Sequence, residues 1–365
     1  SPGMPLLRGN VLVHKGQFTL NYLNTTYTFS DQLKIREDFI GMKELQLYDA
    51  KRNRAFLNGG VYHHNFSNFI IDLTGRMEKF TALNTKASES SMYYGTAMAT
   101  GSLSIFGPPS DLDMQVNAKT EKGTKLYIPL DGYSSVSDSD FITFVQEDTV
   151  QSDSTAKELA LEAARRETEV SGMKMDFNVE LTPDAYFEII FDKKAGDIIR
   201  GHAKGRVKMD IDLLGEFSMY GDVEVVEGAY NFTLLNVVNK QFGVQPNSFI
   251  RWTGDPYRAK LDITATYSQK SSLIPVFGNN MDSTYLNAPE LRRAYPIEVL
   301  LHLDGELLSP DITFGLNVED YPSIVLVEGQ PVSLESYVAG FEQRLKNDEQ
   351  ELNKQVFSLI VLKRL

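Results

Sequence analysis

The segment KGRVKMDIDLLGEF, which runs from Lys204 to Phe217, decides the fold class because apolar and polar side chains alternate along it. Successive side chains of a β-strand point to opposite faces of the sheet, so this period of two predicts a strand with one apolar face. The opposite face is charged, which is typical of an antiparallel sheet with one side in water. The apolar positions are Val207, Met209, Ile211 and Leu213.

The same alternation recurs along the chain, with Gly or Asn/Asp residues between the alternating segments. No strict sequence repeat accompanies it, and each unit is one amphipathic strand followed by a turn. The sequence therefore predicts a mainly β protein with a long, meandering antiparallel sheet. The clearest further segments are 112–118, 173–181, 223–225, 297–303 and 312–318.

Two segments depart from this period. Residues 147–170 are charged and rich in alanine, which indicates a helix or a solvated linker. Near the end, apolar residues at three- and four-residue spacing predict an amphipathic helix that Ser333 can cap. The last residues form either another helix or a final strand. We therefore predict short helices near 152–170 and 333–362.

These composition shifts divide the chain into four predicted parts. They are an N-terminal β region (1–147), a charged helix or linker (148–172), a C-terminal β domain (173–332) and a terminal helical segment (333–365).

Composition excludes several function classes. The 36 basic and 49 acidic residues give a net charge of -13, and no basic run is interleaved with aromatic residues, so nucleic acid is not an expected partner. The chain has no cysteine, which excludes disulfides, thiolate nucleophiles and cysteine metal sites. No apolar run approaches the roughly 20 residues of a transmembrane helix. We expect any membrane anchor to lie upstream of this fragment.

The residues that could perform catalysis do not form a recognisable site. None of the five histidines has metal-ligand spacing, and His63 and His64, as neighbours in a strand, point to opposite faces. The paired carboxylates, such as Asp210 with Asp212 and Asp111 with Asp113, lie on polar strand faces. No nucleophile elbow or phosphate-binding loop is present. We therefore predict no catalytic residue, no metal and no cofactor, and so no enzyme.

One short motif, WTGDP, predicts a sharp corner between two strands. Gly254 permits positive φ, Asp255 precedes a proline and is therefore extended, and Pro256 ends the pairing. We expect Asp255 to bind its own turn backbone, and the N–H of Trp252 to find a polar partner as the ring covers the corner.

One-sided apolar strands fit two architectures. Two such sheets can pack face to face as a β-sandwich, or one sheet can curve into a half-pipe with an apolar groove. The alternation alone favours the sandwich, because it closes its core.

Four motifs resemble the C-terminal domain of the TamB (translocation and assembly module) family, in the form found in Bacteroidetes, and the resemblance favours the half-pipe. It is close over 215–365 and looser over 6–215, while 147–170 matches no motif of the family. The motifs are GAYNF (228–232), FIRWTGDPYRAKLDITATY (249–267), GELLSPDITFGL (305–316) and LNKQVFSLIVLKRL (352–365).

The resemblance implies a U-shaped, β-taco-like sheet with an apolar inner groove. It implies a periplasmic protein anchored in the inner membrane, whose partner is an outer-membrane assembly-factor β-barrel, TamA-like or BamA-like. Such proteins serve outer-membrane biogenesis either by carrying phospholipid or by helping barrel proteins and autotransporters to insert.

The lipid hypothesis places phospholipid acyl chains against the apolar faces of the predicted strands. The expected groove residues are Met114, Val116, Phe177, Val179, Val207, Met209, Ile211, Leu213, Phe217, Met219, Val223, Val225, Leu261, Ile263, Val299, Leu301, Ile312 and Phe314.

The competing hypothesis is a scaffold that binds its partner by strand pairing. Its expected docking element is the terminal segment with Val356, Phe357, Leu359 and Ile360. A surface-binding or carbohydrate-binding domain would need aligned aromatic residues on the outer face, and those positions are mainly charged.

Overall fold

The computed structural model confirms the mainly β class, with one long sheet and a few short helices. The segment predicted as a charged helix or linker, the domain boundaries at 147 and 172, and Leu213 lie outside the residues that the structure describes. The described residues are 8–20, 23–88, 93–130, 173–212, 217–234, 238–277, 289–327 and 329–365.

Seventeen of the strands share one hydrogen-bonded sheet, and β18 with β19 forms a separate two-stranded ribbon. The bounds are β1 (Gly9–Leu20), β2 (Thr25–Ile35), β3 (Phe39–Tyr48), β4 (Arg54–His64), β5 (Ser67–Thr85), β6 (Tyr94–Gly107), β7 (Leu112–Thr120), β8 (Lys125–Pro129), β9 (Met173–Leu181), β10 (Tyr186–Asp192), β11 (Asp197–Asp212), β12 (Phe217–Leu234), β13 (Val238–Val244), β14 (Ser248–Gly254), β15 (Lys260–Ser272), β16 (Ala294–Glu306), β17 (Ser309–Val318), β18 (Ile324–Val327) and β19 (Gln330–Ser333).

Strand pairing is mostly that of a meander. Each strand from β1 to β6 pairs antiparallel with the next. Two strands depart from the meander: β8 pairs antiparallel with β6, and β9 pairs in parallel with β7 and antiparallel with β11. A parallel pair needs a long connection, and the chain between β8 and β9 is long enough to supply it. Later strands resume antiparallel pairing in the order β12, β13, β15, β16, β17.

Three β-bulges shape the first strands. The register shifts in β1, β3 and β5 where Lys15, Glu44 and Lys79 adopt positive φ values of 53°, 53° and 49°. The backbone N–H of each bulged residue donates to a side-chain oxygen of the following strand, at 2.8–2.9 Å. These acceptors are Ser30, Asn58 and Thr100. Bulges bend and twist the strands that carry them.

The chain forms two compact units, which we call unit 1 and unit 2. Unit 1 comprises 1–187, 202–223 and 251–259, and unit 2 comprises 188–201, 224–250 and 260–365.

Unit 1 has a closed apolar cluster over β2 to β5. Tyr27 stacks on Phe80 with ring centroids 4.8 Å apart, and its hydroxyl donates to the carbonyl of Thr81 at 2.8 Å. Leu45, Leu47, Ala55 and Met77 complete the buried set, against which Leu103 of β6 packs.

Unit 2 packs helices against a curled sheet. The rings of Phe232 on β12 and Phe314 on β17 lie 5.8 Å apart. Four strand spacings separate these strands and would place them about 19 Å apart in a flat sheet. The sheet of unit 2 therefore curls so that the apolar faces of β12 and β17 meet.

The helices of unit 2 lie mainly at the end of the chain, where a helical segment was predicted. The bounds are α1 (Ile274–Phe277), α2 (Pro289–Arg292), α3 (Leu334–Asn347), α4 (Glu349–Phe357) and a π-helical turn (Ser358–Leu362). The buried face of α3 consists of Leu334, Val338, Phe341 and Leu345, at the spacing of one helix stripe. Glu342 also accepts a hydrogen bond from the backbone N–H of Val318 at 3.1 Å, which joins α3 to β17.

Candidate functional site

The strand register brings many of the predicted groove residues of unit 1 into ladder rows. Val116 on β7 lies opposite Phe177 on β9, which lies opposite Met209 on β11. Directly opposed residues share one face of a sheet, so these three side chains are neighbours. Leu103 on β6 extends the row, because it pairs with Val116.

Two more rows flank this one. Met114 pairs with Met175, and Met175 pairs with Ile211. On the other side, Val179 pairs with Val207. We call the seven predicted residues of these rows the apolar stripe: Met114, Val116, Phe177, Val179, Val207, Met209 and Ile211.

The apolar stripe is partly open. All of its side chains except Val207 are half-buried rather than buried. A closed core would bury such side chains fully, so the apolar surface of the stripe is only partly covered in the described part of unit 1.

The first residues of β12 continue the predicted set in unit 1. Phe217 and Met219 are half-buried, and Val223 is buried. Gly221 lies between them with φ of 135°, and a Cβ atom there would clash with the carbonyl oxygen of Arg206. A glycine is therefore required for the close approach of β12 to β11 beside the stripe.

The face opposite the stripe is polar. Asp176 pairs with Asp210, and the ammonium of Lys208 contacts the Asp210 carboxylate at 2.8 Å. The hydrogen bond from Lys208 lowers the pKa of Asp210. The pKa of Asp176 is raised, first because it shares a hydrogen bond with Asp210 and then because of burial and the negative charge of Asp210. The two carboxylates therefore titrate as an interacting pair rather than independently.

The predicted groove residues of unit 2 are placed differently. Val225, Leu261, Ile263, Val299 and Leu301 are buried. The C-terminal helical segment packs on this sheet, with Leu359 and Ile360 of the π-helical turn also buried. These residues belong to a closed core in unit 2, and they offer no groove unless the helices move.

Ile312 and Phe314, the remaining predicted groove residues, lie on β17 at the rim of this core. Together with Phe232, Val356, Phe357 and Ile360 they line a cleft of about 280 Å³, to which Asn353 adds an amide.

The residues predicted to dock a partner lie in α4 and the π-helical turn. The segment is therefore helical, which is one of the two forms left open by its sequence. Val356, Leu359 and Ile360 are buried within unit 2, while Phe357 is exposed. As the segment lies, only Phe357 of the four is available to a partner.

The WTGDP corner lies within unit 1. A carboxylate oxygen of Asp255 accepts a hydrogen bond from the backbone N–H of Tyr257 at 2.9 Å. The indole N–H of Trp252 donates to the carbonyl of Pro256 at 3.1 Å. Gly254 has φ of 140°. These contacts are all local, so their role is to stabilise the turn between the two strands.

The two neighbouring histidines differ in environment. His63 is buried, and its Nδ1 accepts from the backbone N–H of Phe66 at 3.3 Å, while His64 is exposed. Across the described residues, no three His, Asp or Glu side chains are grouped to bind a metal ion. In the same part of the chain, every helix is too short or too polar to cross a bilayer.

Two half-buried residues that extend the stripe onto β6 were not among the predicted groove residues. Leu103 pairs with Val116, and Ile105 pairs with Met114. Their signal was present, because both alternate with serines in the segment GSLSIF.

Comparison with known families agrees with this architecture. The family model of the TamB C-terminal domain matches residues 43–364. No individually curated protein matches the chain. The TamB family serves outer-membrane biogenesis as non-catalytic periplasmic envelope proteins and associates with TamA-like outer-membrane partners. The match covers most of the chain, which therefore belongs to the TamB family.

Proposed function

We propose that the apolar stripe of unit 1 binds phospholipid acyl chains and that the full-length protein carries these lipids to the outer membrane. In this proposal the protein bridges the two membranes and is anchored in the inner membrane. The observation that carries the proposal is the half-burial of six of the seven stripe residues, in ladder rows over three strands.

The energetics of such a surface favour a hydrocarbon ligand. Each buried methylene contributes about 0.8 kcal/mol, so an acyl tail gains on the order of 10 kcal/mol before the costs of ordering it. The attraction is not directional, and a tail can therefore slide along the stripe without losing specific contacts. Met114 and Met209 suit this role, because the flexible thioether adapts to different chain positions.

Two arginine substitutions test the lipid proposal. The double variant Met209→Arg, Ile211→Arg places charge on the stripe, where both side chains are half-buried. We expect the parent protein, purified without detergent, to retain phospholipid that mass spectrometry detects, and the double variant to lose at least nine-tenths of it. The expected loss follows from the cost of bringing acyl chains against charged groups.

A matched control adds the same charges to the opposite face. Asn117 and Asn178 are exposed neighbours on β7 and β9, so Asn117→Arg with Asn178→Arg should retain the lipid. Circular dichroism checks that both double variants are folded. Equal lipid content in a folded stripe variant and in the control would contradict the proposal.

The second candidate is a scaffold for the insertion of outer-membrane proteins. In this candidate a strand of the sheet pairs with an incoming strand through backbone hydrogen bonds, and we take β17, the last strand of the long sheet in chain order, as the strand to test. Its partner would be the TamA-like or BamA-like barrel. Disulfide trapping between cysteines introduced on β17 and on a barrel seam strand tests it, because ladder pairing predicts crosslinks only at alternate positions in one register.

A further inference from the structure

The cleft in unit 2 is an apolar cavity formed by β17, the end of β12 and the C-terminal helical segment. Its volume is about 280 Å³. The apolar lining comes from Phe232, Ile312, Phe314, Val356, Phe357 and Ile360, and the amide of Asn353 is the polar lining group.

Burial changes sharply across one ladder row at this cleft. Leu303 on β16 pairs with Ile312 on β17, yet Leu303 is 0% exposed and Ile312 is 41% exposed. The apolar face is therefore covered at Leu303 and open at Ile312, although the C-terminal helices pack on other parts of β17. Val356 and Ile360 are buried at the floor of the cleft, and Phe357, which is 43% exposed, lies at its mouth.

The helical end beside the cleft has an unusual form. Residues Ser358–Leu362 make a π-helical turn, and the hydroxyl of Ser358 donates to the carbonyl of Arg364 at 2.7 Å. π-Helical turns occur mostly as local insertions in helices, frequently at functional sites. Here Ile360 belongs to the π-helical turn and lies at the floor of the cleft.

The lining selects the chemical class of the ligand. A peptide or a sugar brings several polar groups, and each of them needs a hydrogen-bond partner once it is buried. Among the side chains of the lining, only that of Asn353 is polar. A hydrocarbon chain has no such requirement, and 280 Å³ accommodates about nine groups of the size of a water molecule, which is close to that of a methylene.

We propose that this cleft binds the terminal part of a single acyl chain, with the chain passing between Ile312 and Phe357 onto the rings of Phe232 and Phe314. This deepens the proposed function and rests on it. The cleft is a second acyl-chain site, in the unit whose core is otherwise filled by the protein's own helices.

The absence of cysteine from the chain allows a direct test. Phe357→Cys, labelled with a small bimane fluorophore, reports on the mouth of the cleft. Leu326→Cys, on an exposed residue of the β18–β19 ribbon, is the control, and Met209→Cys reports on the apolar stripe. The probe is a fatty acid brominated near its methyl end, because bromine quenches the fluorophore only at short range.

We expect saturable quenching at Phe357→Cys and none that saturates at Leu326→Cys. Adding Ile312→Glu should weaken the apparent affinity at Phe357→Cys at least tenfold, while Thr313→Glu, on the opposite face of the same strand, should leave it within twofold. Ile312 is largely exposed, so unit 2 should still fold with the carboxylate, which circular dichroism checks.

The outcomes separate the cleft from the proposed function. Saturable quenching at Met209→Cys alone would overturn the cleft site and leave the stripe. Quenching at Phe357→Cys alone would support the cleft and count against the stripe, and quenching at neither would overturn both.

A lysophospholipid with the same brominated chain should quench equally. A strong preference for the lysophospholipid would show that a headgroup is recognised, against the proposal.

Discussion

Replacing Phe341 by alanine is expected to lower the free energy of unfolding by about 3–5 kcal/mol, as the loss of a buried aromatic ring does when its cavity cannot collapse. Phe341 lies on the buried face of α3 and is 1% exposed. Its ring packs in the core that the C-terminal helices form with the sheet of unit 2. Urea unfolding followed by circular dichroism measures the change.

Phe357 provides the matched control for this substitution. It is the same residue type in the next helix, but it is 43% exposed. Phe357→Ala should therefore change the free energy of unfolding by less than about 1 kcal/mol. If the two variants lost equal stability, the C-terminal helices would not form the core of unit 2.

Replacing Asp49 by alanine is expected to destabilise unit 1 by on the order of 4 kcal/mol, because the substitution leaves several part-buried donors without an acceptor. The Asp49 residue is 4% exposed. Its carboxylate accepts five hydrogen bonds, from the backbone N–H groups of Lys51, Asn53 and Thr81 and from the side chains of Asn53 and Thr81. This one carboxylate joins the β3–β4 turn to β5.

The same carboxylate predicts a pH dependence. Burial by itself raises the pKa of Asp49, but its hydrogen bonds with Asn53 and Thr81 outweigh burial and lower the pKa below its ordinary value. A lowered pKa in the folded state contributes stability above the unfolded-state value of about 3.9, and the contribution is lost as the pH falls through the lowered pKa.

Comparison with Asp49→Asn measures this contribution. We expect the difference in the free energy of unfolding between the parent and Asp49→Asn to be constant above about pH 5 and to shrink from about pH 4 downwards. Asp255→Asn is the control, because Asp255 is exposed and the carboxylate accepts one backbone hydrogen bond. A difference for Asp49→Asn that is unchanged at pH 3 would contradict the assignment.

The local sequence predicted which residues form the apolar stripe, but it did not predict how far these residues are buried. Val207, Met209 and Ile211 share a face because of the period of two, which follows from backbone geometry alone. Alternation indicates which residues share a face, but it does not indicate what covers that face. Leu261 and Leu301 have the same pattern as Met209, yet they are buried while Met209 is half-buried.

The positions of the bulges also could not be predicted from the sequence. Lys15, Glu44 and Lys79 are not glycines, and nothing in their immediate neighbours marks a positive φ. Each bulge depends on an oxygen of the adjacent strand, from Ser30, Asn58 or Thr100. The acceptor oxygen is distant in the chain from the bulged residue or is separated from it by a turn. Only strand pairing therefore brings the backbone N–H and this oxygen together.

The sequence by itself determined the mainly β class, the faces of the strands, the terminal helical segment and, through its motifs, the TamB family. These properties depend on side-chain period and on short motifs, which are local. Only the tertiary structure decided that helices fill the sheet of unit 2 while the stripe of unit 1 stays half-buried. That difference depends on packing between segments far apart in the chain, where burial of apolar surface, rather than local backbone preference, sets the outcome.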